Sequence, residues 1–256
     1  MMNNLIAIDI GNTETTVGLK LQDEWSSFRL TTRDTDTSDE ILASFNSTIQ
    51  LSESEKHKIK GSIICSVVPQ LTSNMAEAVG KYLNEEPIIL GPGVKTGLQV
   101  KIDNPKELGP DRIANAVAGN LLVEEDVIVV DMGTATTFDV VTKNKEYLGG
   151  SIAPGIKISL DALTSKTASL KSVELEVPNV TIGKNTYEAI QSGLIIGHAS
   201  MIDNMVGRII GELQSEPKII LTGGLGRVVT QVLDVKVQYV ENLTLIGLEQ
   251  IYKLNN

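Results

Sequence analysis

A run of apolar residues that ends in a carboxylate and turns at once through glycine occurs twice in this chain. That doubling constrains the fold more than any other feature. The first copy is Leu5-Ile-Ala-Ile-Asp9-Ile10-Gly11-Asn12-Thr13-Glu14-Thr15-Thr16-Val-Gly18, which reads as a β-hairpin with a polar tip. Gly11 and Asn12 tolerate positive φ, so a sharp reversal is expected there. Such a reversal would gather backbone N–H groups and the hydroxyls of Thr13, Thr15 and Thr16 into a concavity suited to phosphate oxygens. Asp9 would repel a bare triphosphate, so a role in nucleotide binding requires a cation such as Mg²⁺ between them. Taken alone, the stretch is equally well explained as an ordinary Gly-Asn hairpin with a solvated aspartate.

The second copy, Val127-Ile-Val-Val-Asp131-Met-Gly133-Thr134-Ala-Thr136-Thr137, repeats the order strand, Asp, any residue, Gly, hydroxyl-bearing residues. Nearly half of the 256 residues separate the two aspartates. A looser alignment sets Ser62-Ile-Ile-Cys65-Ser66-Val-Val68 against Lys218-Ile-Ile-Leu221-Thr222-Gly-Gly224, with an insertion in the second half. It pairs Cys65 with Leu221 and Ser66 with Thr222. The chain therefore reads as two similar halves, each presenting one Asp-x-Gly hairpin and one further strand end to a shared cleft.

The length suffices for one large domain or two modest ones. With aromatics at only 4% of residues, the core must rest on Ile, Val and Leu, which suits buried sheets. A net charge of −10 argues against nucleic acid or an anionic membrane surface as partner. No apolar run approaches the roughly 20 residues needed to span a bilayer. Met-Met-Asn-Asn at the start lacks the blocks of a signal peptide, so a cytoplasmic protein is expected. Cys65 is the only cysteine, which rules out an internal disulfide and a multi-cysteine zinc site. Its place among Ile and Val suggests a buried small hydrophobe rather than a nucleophile.

Between these motifs the patterning predicts a strand over 24–30 with Trp25 and Phe28 packed, and a helix over 39–49. A charged loop from Ser52 to Lys60 holds a solvated His57. A helix over 70–83 and an extended piece over 95–102 follow. Ile113, Ala116, Val117 and Leu121 give helical periodicity from near Asp111. Lys143-Asn-Lys145 reads as a hairpin turn, and 164–185 as a polar loop suited to flexing or covering substrate. Thr186–Leu213 reads as a helix on which Gly193 and Gly197 mark a close helix contact and His198 is packed or at the surface. A closing helix spans 243–254.

Asp9-x-Gly-Asn-Thr, Gly109-Pro-Asp-Arg112, Asp131-x-Gly-Thr-Ala-Thr-Thr137, Gly149-Gly-x-Ile-x-Pro-Gly155 and Thr222-Gly-Gly224 occur in that order. Together they closely resemble the type III pantothenate kinases, a bacterial family of the actin/hexokinase-like ATPase superfamily. The resemblance covers nearly the whole chain. It implies an α/β fold of two ribonuclease-H-like domains, taken as 1–112 and 113–256, and a homodimer. The implied reaction moves the γ-phosphoryl group of ATP to the 4′-hydroxyl of pantothenate, the first step of coenzyme A biosynthesis. By the same resemblance, Asp9, Ile10, Gly11, Asn12, Thr13, Glu14, Thr15 and Thr16 bind the ATP phosphates, with Asp9 facing Mg²⁺ through water, and Thr134 contacts the nucleotide. Gly109, Pro110, Asp111 and Arg112 would contact pantothenate, with Asp111 as proton acceptor. Asp131 would help hold an activating K⁺ or NH₄⁺, and Thr186 would touch pantothenate in a site completed by the neighbouring subunit. The position of Ile102 commonly carries a substrate-contacting Tyr in the family; Ile keeps the apolar contact and loses the hydroxyl. Lys171 stands near a position where the family often has Pro.

The residues themselves leave two roles open for Asp111. It is either a helix N-cap, worth about 1 kcal/mol, or a carboxylate that orients the acceptor hydroxyl and takes its proton late. Arg112 offers a planar fork for a carboxylate or phosphate. Asp131 could equally be a turn former, and Thr222-Gly-Gly224 a plain strand-to-helix turn or a place of close backbone approach to an adenosine. Two rival functions remain: a sugar or acyl-group kinase of the superfamily, and a non-catalytic accessory protein on the same fold.

Overall fold

The computed structural model describes residues 4–165 and 173–256, so Lys171 lies outside the described residues. The chain separates into two compact units, Met1–Gly97 with Asn104–Ala118 and Leu243–Asn256, and Leu98–Asp103 with Gly119–Asn242.

In the first unit, β1 (Asn4–Ile10), β2 (Glu14–Leu21) and β3 (Glu24–Thr31) form an antiparallel meander. β4 (Ile59–Ser66) joins β1 in parallel and β5 (Ile88–Ile89) follows, giving the order β3-β2-β1-β4-β5. Because side chains alternate along a strand, Ile6, Ile8 and Ile10 share one face of β1. They pack with Val17, Leu19 and Ile64 beneath α1 (Ser38–Thr48) and α3 (Pro69–Leu83). Within that layer Phe45 and Tyr82 meet edge-on at 5.9 Å. Leu5 and Ala7 on the opposite face are equally buried, which is why β1 reads as an unbroken apolar run. The segment expected as a charged loop contains a single helical turn, α2 (Glu53–Lys56), closed by a capping box between Ser52 and Glu55.

The second unit repeats the plan. β6 (Gln99–Val100) is all that forms from the extended piece expected over 95–102. α4 (Pro110–Val123) begins in the first unit and ends in the second. β7 (Val127–Met132), β8 (Ala135–Val141) and β9 (Glu146–Pro154) make the meander, and α5 (Ile156–Ser165) and α6 (Thr186–Leu213) follow. β10 (Lys218–Thr222) pairs in parallel with β7. The short α7 (Gly226–Val229) and β11 (Gln238–Tyr239) complete the unit. The sheet order β11-β10-β7-β8-β9-β6 therefore contains the first sheet's order, with β6 added at the β9 edge. This is the duplicated ribonuclease-H-like arrangement. The strand register refines the sequence alignment: Asp9 pairs with Cys65 and Asp131 with Thr222. Cys65 thus corresponds to Thr222 and not to Leu221. A one-residue slip matters because it exchanges the faces of every side chain.

The last helix, α8 (Leu243–Asn255), packs on β1 and β4 of the first unit. Lys20 donates to both carboxylate oxygens of Glu249 at 2.7 and 2.8 Å, and the Tyr252 hydroxyl donates to the Lys60 carbonyl at 2.6 Å. Gly61, at φ +147, lies under that tyrosine, where a Cβ would stand 2.1 Å from its hydroxyl. Among the described residues Gly193 and Gly197 do not mark a close helix contact, for a Cβ at either would meet none of their atoms within 4 Å.

Thr136 shows the cost of a polar group on the wrong face. Its pairing with Met132 puts it on the core side of β8, where it is fully buried and its hydroxyl has no hydrogen-bond partner among the described residues. Thr136→Val keeps the shape and removes the stranded hydroxyl. It is expected to stabilise the protein by about 1 kcal/mol in urea unfolding, whereas a loss of stability would show that the hydroxyl is satisfied.

Candidate functional site

In the first unit the alternation sorts the hairpin residues. Ile10 belongs to the core beneath α1 and α3, so only its backbone is available to a ligand. Thr15 is also buried, with its hydroxyl paired to that of Thr32 at 2.9 Å. Thr32 in turn donates to the Gly11 carbonyl at 2.8 Å. Asp9 lies on the other face, between Thr16 of β2 and Cys65 of β4 in the register. Asn12, Thr13 and Glu14 are exposed at the tip, Glu14 standing 3.5 Å from Arg29. The turn does not use positive φ at Gly11 or Asn12. Glycine is required at 11 for space: its N–H donates to the Glu14 carbonyl at 3.1 Å, and a Cβ would stand 2.9 Å from that same oxygen.

The Cys65 thiol, fully buried, donates to Asp9 Oδ1 at 3.1 Å. Burial pushes the pKa of Asp9 up to about 6; the thiol bond opposes that rise and the negative charge of Asp111 adds to it. Asp111 thus lies within electrostatic reach of Asp9. It occupies the second residue of α4, behind Pro110 at the first, so it is not the N-cap. As an acid in the first turn it still complements the helix dipole. Gly109 makes its placement possible, since a Cβ there would lie 2.4 Å from Asp111 Oδ1. Arg112 follows, partly buried like its neighbours.

A raised carboxylate pKa works against stability near neutrality. The folded protein keeps the Asp9 proton up to about pH 6, whereas an unfolded aspartate releases it near pH ~4. Stability is therefore expected to fall as pH rises through that interval and to level off above it. Asp9→Asn should be more thermostable than wild type at about pH 7.5, with the gap closing toward about pH 4. Equal melting temperatures across that range would contradict the burial argument.

The second unit places Asp131 between Thr137 of β8 and Thr222 of β10, on the face away from the core residues Ile128, Val130 and Met132. Its turn is held by close backbone approaches. Gly133 N–H donates to the Ala135 carbonyl at 3.1 Å. A Cβ on Gly155 would stand 2.4 Å from the Thr134 carbonyl oxygen, and one on Gly223, at φ +93, would stand 2.5 Å from the Met132 backbone. Gly223 thus has a structural reason whatever it binds. Ile102 lies by Gly149, whose Cβ would meet it at 3.6 Å. Thr186 is the first residue of α6, behind the N-cap Asn185. His198 is buried and bonds the Pro154 carbonyl through Nε2 at 3.1 Å. Burial lowers its pKa, the carbonyl bond opposing this.

Three contributors were not singled out from sequence. Thr32 ties β3 to the Gly11 turn. Asp139, fully buried, accepts from the Tyr147 hydroxyl at 2.5 Å and from Thr137 Oγ1 at 3.1 Å; an aspartate between Phe138 and Val140 in a strand was the available signal. Cys65 was read only as a packing residue.

The model of the type III pantothenate kinase family matches residues 5–208. A type III pantothenate kinase from Halalkalibacterium halodurans is 41% identical over 256 residues, covering 98% of this chain and 99% of the relative. Among solved structures, a conserved Baf family transcriptional activator from Campylobacter jejuni superposes with a TM-score of 0.61 at 24% identity, covering 98% of both chains. Component A of the (R)-2-hydroxyglutaryl-CoA dehydratase of Acidaminococcus fermentans gives 0.56 at 12% identity, covering 98% of this chain and 97% of its own. At these identities the two structures speak to the fold alone.

Proposed function

We propose, for a chain that belongs to the type III pantothenate kinases, that the polar face at the ends of β1 and β4 is where its phosphoryl transfer is arranged. The enzyme phosphorylates pantothenate at the expense of ATP, in the route to coenzyme A. The acceptor atom we assign is the 4′-hydroxyl. The observation that supports the arrangement is that Asp111 lies within electrostatic reach of both Asp9 and its register partner Cys65 in the first unit.

Phosphoryl transfer runs through a loose transition state, so the protein chiefly positions groups and neutralises charge. In this reading the exposed tip residues Asn12, Thr13 and Glu14, with Thr16, meet the phosphates, and Ile10 and Gly11 contribute only backbone. Thr15 supports the turn from within. Among the described residues no cluster of three His, Cys, Asp or Glu could hold a metal unaided. That fits Mg²⁺, which is commonly bound through one or two carboxylates together with water and phosphate oxygens. Asp9 would hold it, and when bound it would offset phosphate charge. Asp131, flanked by two threonines, is assigned to the monovalent cation, which oxygen donors suit.

Asp111 is assigned the acceptor hydroxyl, Arg112 and Gly109–Pro110 the body of pantothenate, Thr134 the nucleotide, and Thr186 and Ile102 further substrate contacts. The exposed apolar side chains of the second unit, Leu148, Ile152, Ile182 and Tyr187, support a homodimer, and Tyr187 adjoins Thr186 in sequence. We place the boundary of the duplication at residue 112; it concerns repeated strand order, and the compact units exchange segments across it.

The test is a coupled ADP-release assay with pantothenate against a panel of sugars and short acids. Release with pantothenate alone is expected. Release with a sugar instead, or none with any acceptor, would reject the assignment.

A further inference from the structure

Each candidate acid is the penultimate residue of a central strand, and each is flanked in the register by a threonine on the antiparallel neighbour and a small thiol- or hydroxyl-bearing residue on the parallel one; the Thr137 hydroxyl donates to Asp139. Asp9 lies between Thr16 and Cys65, and Asp131 between Thr137 and Thr222. The halves differ in sequence at the parallel-strand position, yet both put a small side chain with a transferable hydrogen there. What the duplication shares is a donor, not a thiol. In the first half the bond is present: Sγ of the fully buried Cys65 lies 3.1 Å from Asp9 Oδ1.

We infer that Cys65 is a positioning residue, whose thiol fixes the Asp9 carboxylate so that its outer oxygen faces the nucleotide's cation. A carboxylate has two oxygens and a free rotation about Cβ–Cγ; one bond to Oδ1 from the strand beside it removes that freedom. The thiol touches neither phosphate nor alcohol in this scheme and acts only through Asp9. The inference rests on the reading of Asp9 given above.

Two measurements test it. The chain has one cysteine, so its S–H stretching band in the infrared belongs to Cys65 alone. In wild type the band is expected at lower frequency than in Asp9→Ala, where the acceptor is gone. An unchanged band would overturn the bond.

The second measurement is calorimetric affinity for a non-hydrolysed ATP analogue with Mg²⁺ in Cys65→Ser, Cys65→Val and wild type. Serine keeps the donor and is expected to bind within about twofold of wild type. Valine fills the space without a donor and is expected to bind about tenfold more weakly, at the low end for a bond to a charged group. A role in packing alone would give the opposite order, with valine near wild type and serine impaired, and that result would overturn the positioning role. Wild type that binds no Mg²⁺–nucleotide would overturn the role together with the reading of Asp9, while the infrared comparison still reports on the bond by itself.

Discussion

Asp111→Asn is expected to lower kcat by about 100- to 10,000-fold, the range for losing a positioned general base, while the fold and nucleotide affinity survive. An ordinary aspartate has a pKa near ~3.9, far below that of an alcohol. A carboxylate is too weak a base to strip an alcohol's proton in advance; in the proposed role Asp111 would hold the hydroxyl in line and accept the proton as the bond to phosphorus forms. Asparagine fits the same space beside Gly109, keeps the helix start, and can hold a hydroxyl, but it cannot take the proton. It also removes a like charge from the neighbourhood of Asp9, so nucleotide binding in the presence of Mg²⁺ should be equal or slightly tighter. Steady-state kinetics beside calorimetry separates the two effects. Turnover within a fewfold of wild type would remove Asp111 from the reaction.

Gly247→Ala is expected to destabilise the protein by roughly 3 kcal/mol or more, the upper end for forcing atoms into a packed core. In an unencumbered helix the same change usually gains about 0.5–1 kcal/mol, because glycine is a poor helix former. Here a Cβ would lie 1.9 Å from the Ala114 carbonyl oxygen, so α8 and α4 touch backbone to backbone at that point. The Thr244 hydroxyl donates to Asn115 Oδ1 at 2.8 Å beside it. Ala114 lies one turn beyond Asp111, so this contact also seats the helix that presents the acid. Gly80→Ala in α3 is the matched control. A Cβ there meets nothing closer than 3.6 Å, and the gain of a better helix former should appear. Urea unfolding reads both signs, and a stabilised Gly247→Ala would refute the packing argument.

What sequence conveyed, and what it withheld, follows from how local each feature is. The two Asp-x-Gly hairpins, the α6 boundaries and the Lys143–Lys145 turn are set by short-range patterns. All formed where the residues pointed. The correspondence of Cys65 with Thr222 was missed by one residue, because gapped alignment has no knowledge of strand register. Gly11 was assigned a positive φ from residue type, whereas the turn needs its missing Cβ. The N-cap reading of Asp111 failed because Pro110 takes the first helical position and moves the acid one residue inward. The bond from Cys65 to Asp9 joins residues far apart in the chain and follows only from parallel pairing of β1 with β4. That α8 closes the first unit, and not the second from which it leaves, is likewise a tertiary fact with no local trace.

In the proposed function, Asp9 and Asp111 of the first unit together carry ATP's terminal phosphoryl group to the alcohol of pantothenate. A single-turnover experiment with γ-labelled ATP, quenched and read by mass spectrometry, tests it most directly. The account predicts label on the 4′-oxygen of pantothenate with wild type and almost none with Asp111→Asn, although both bind the nucleotide. Label at the same rate in both proteins, or label on water instead of pantothenate with wild type, would contradict it.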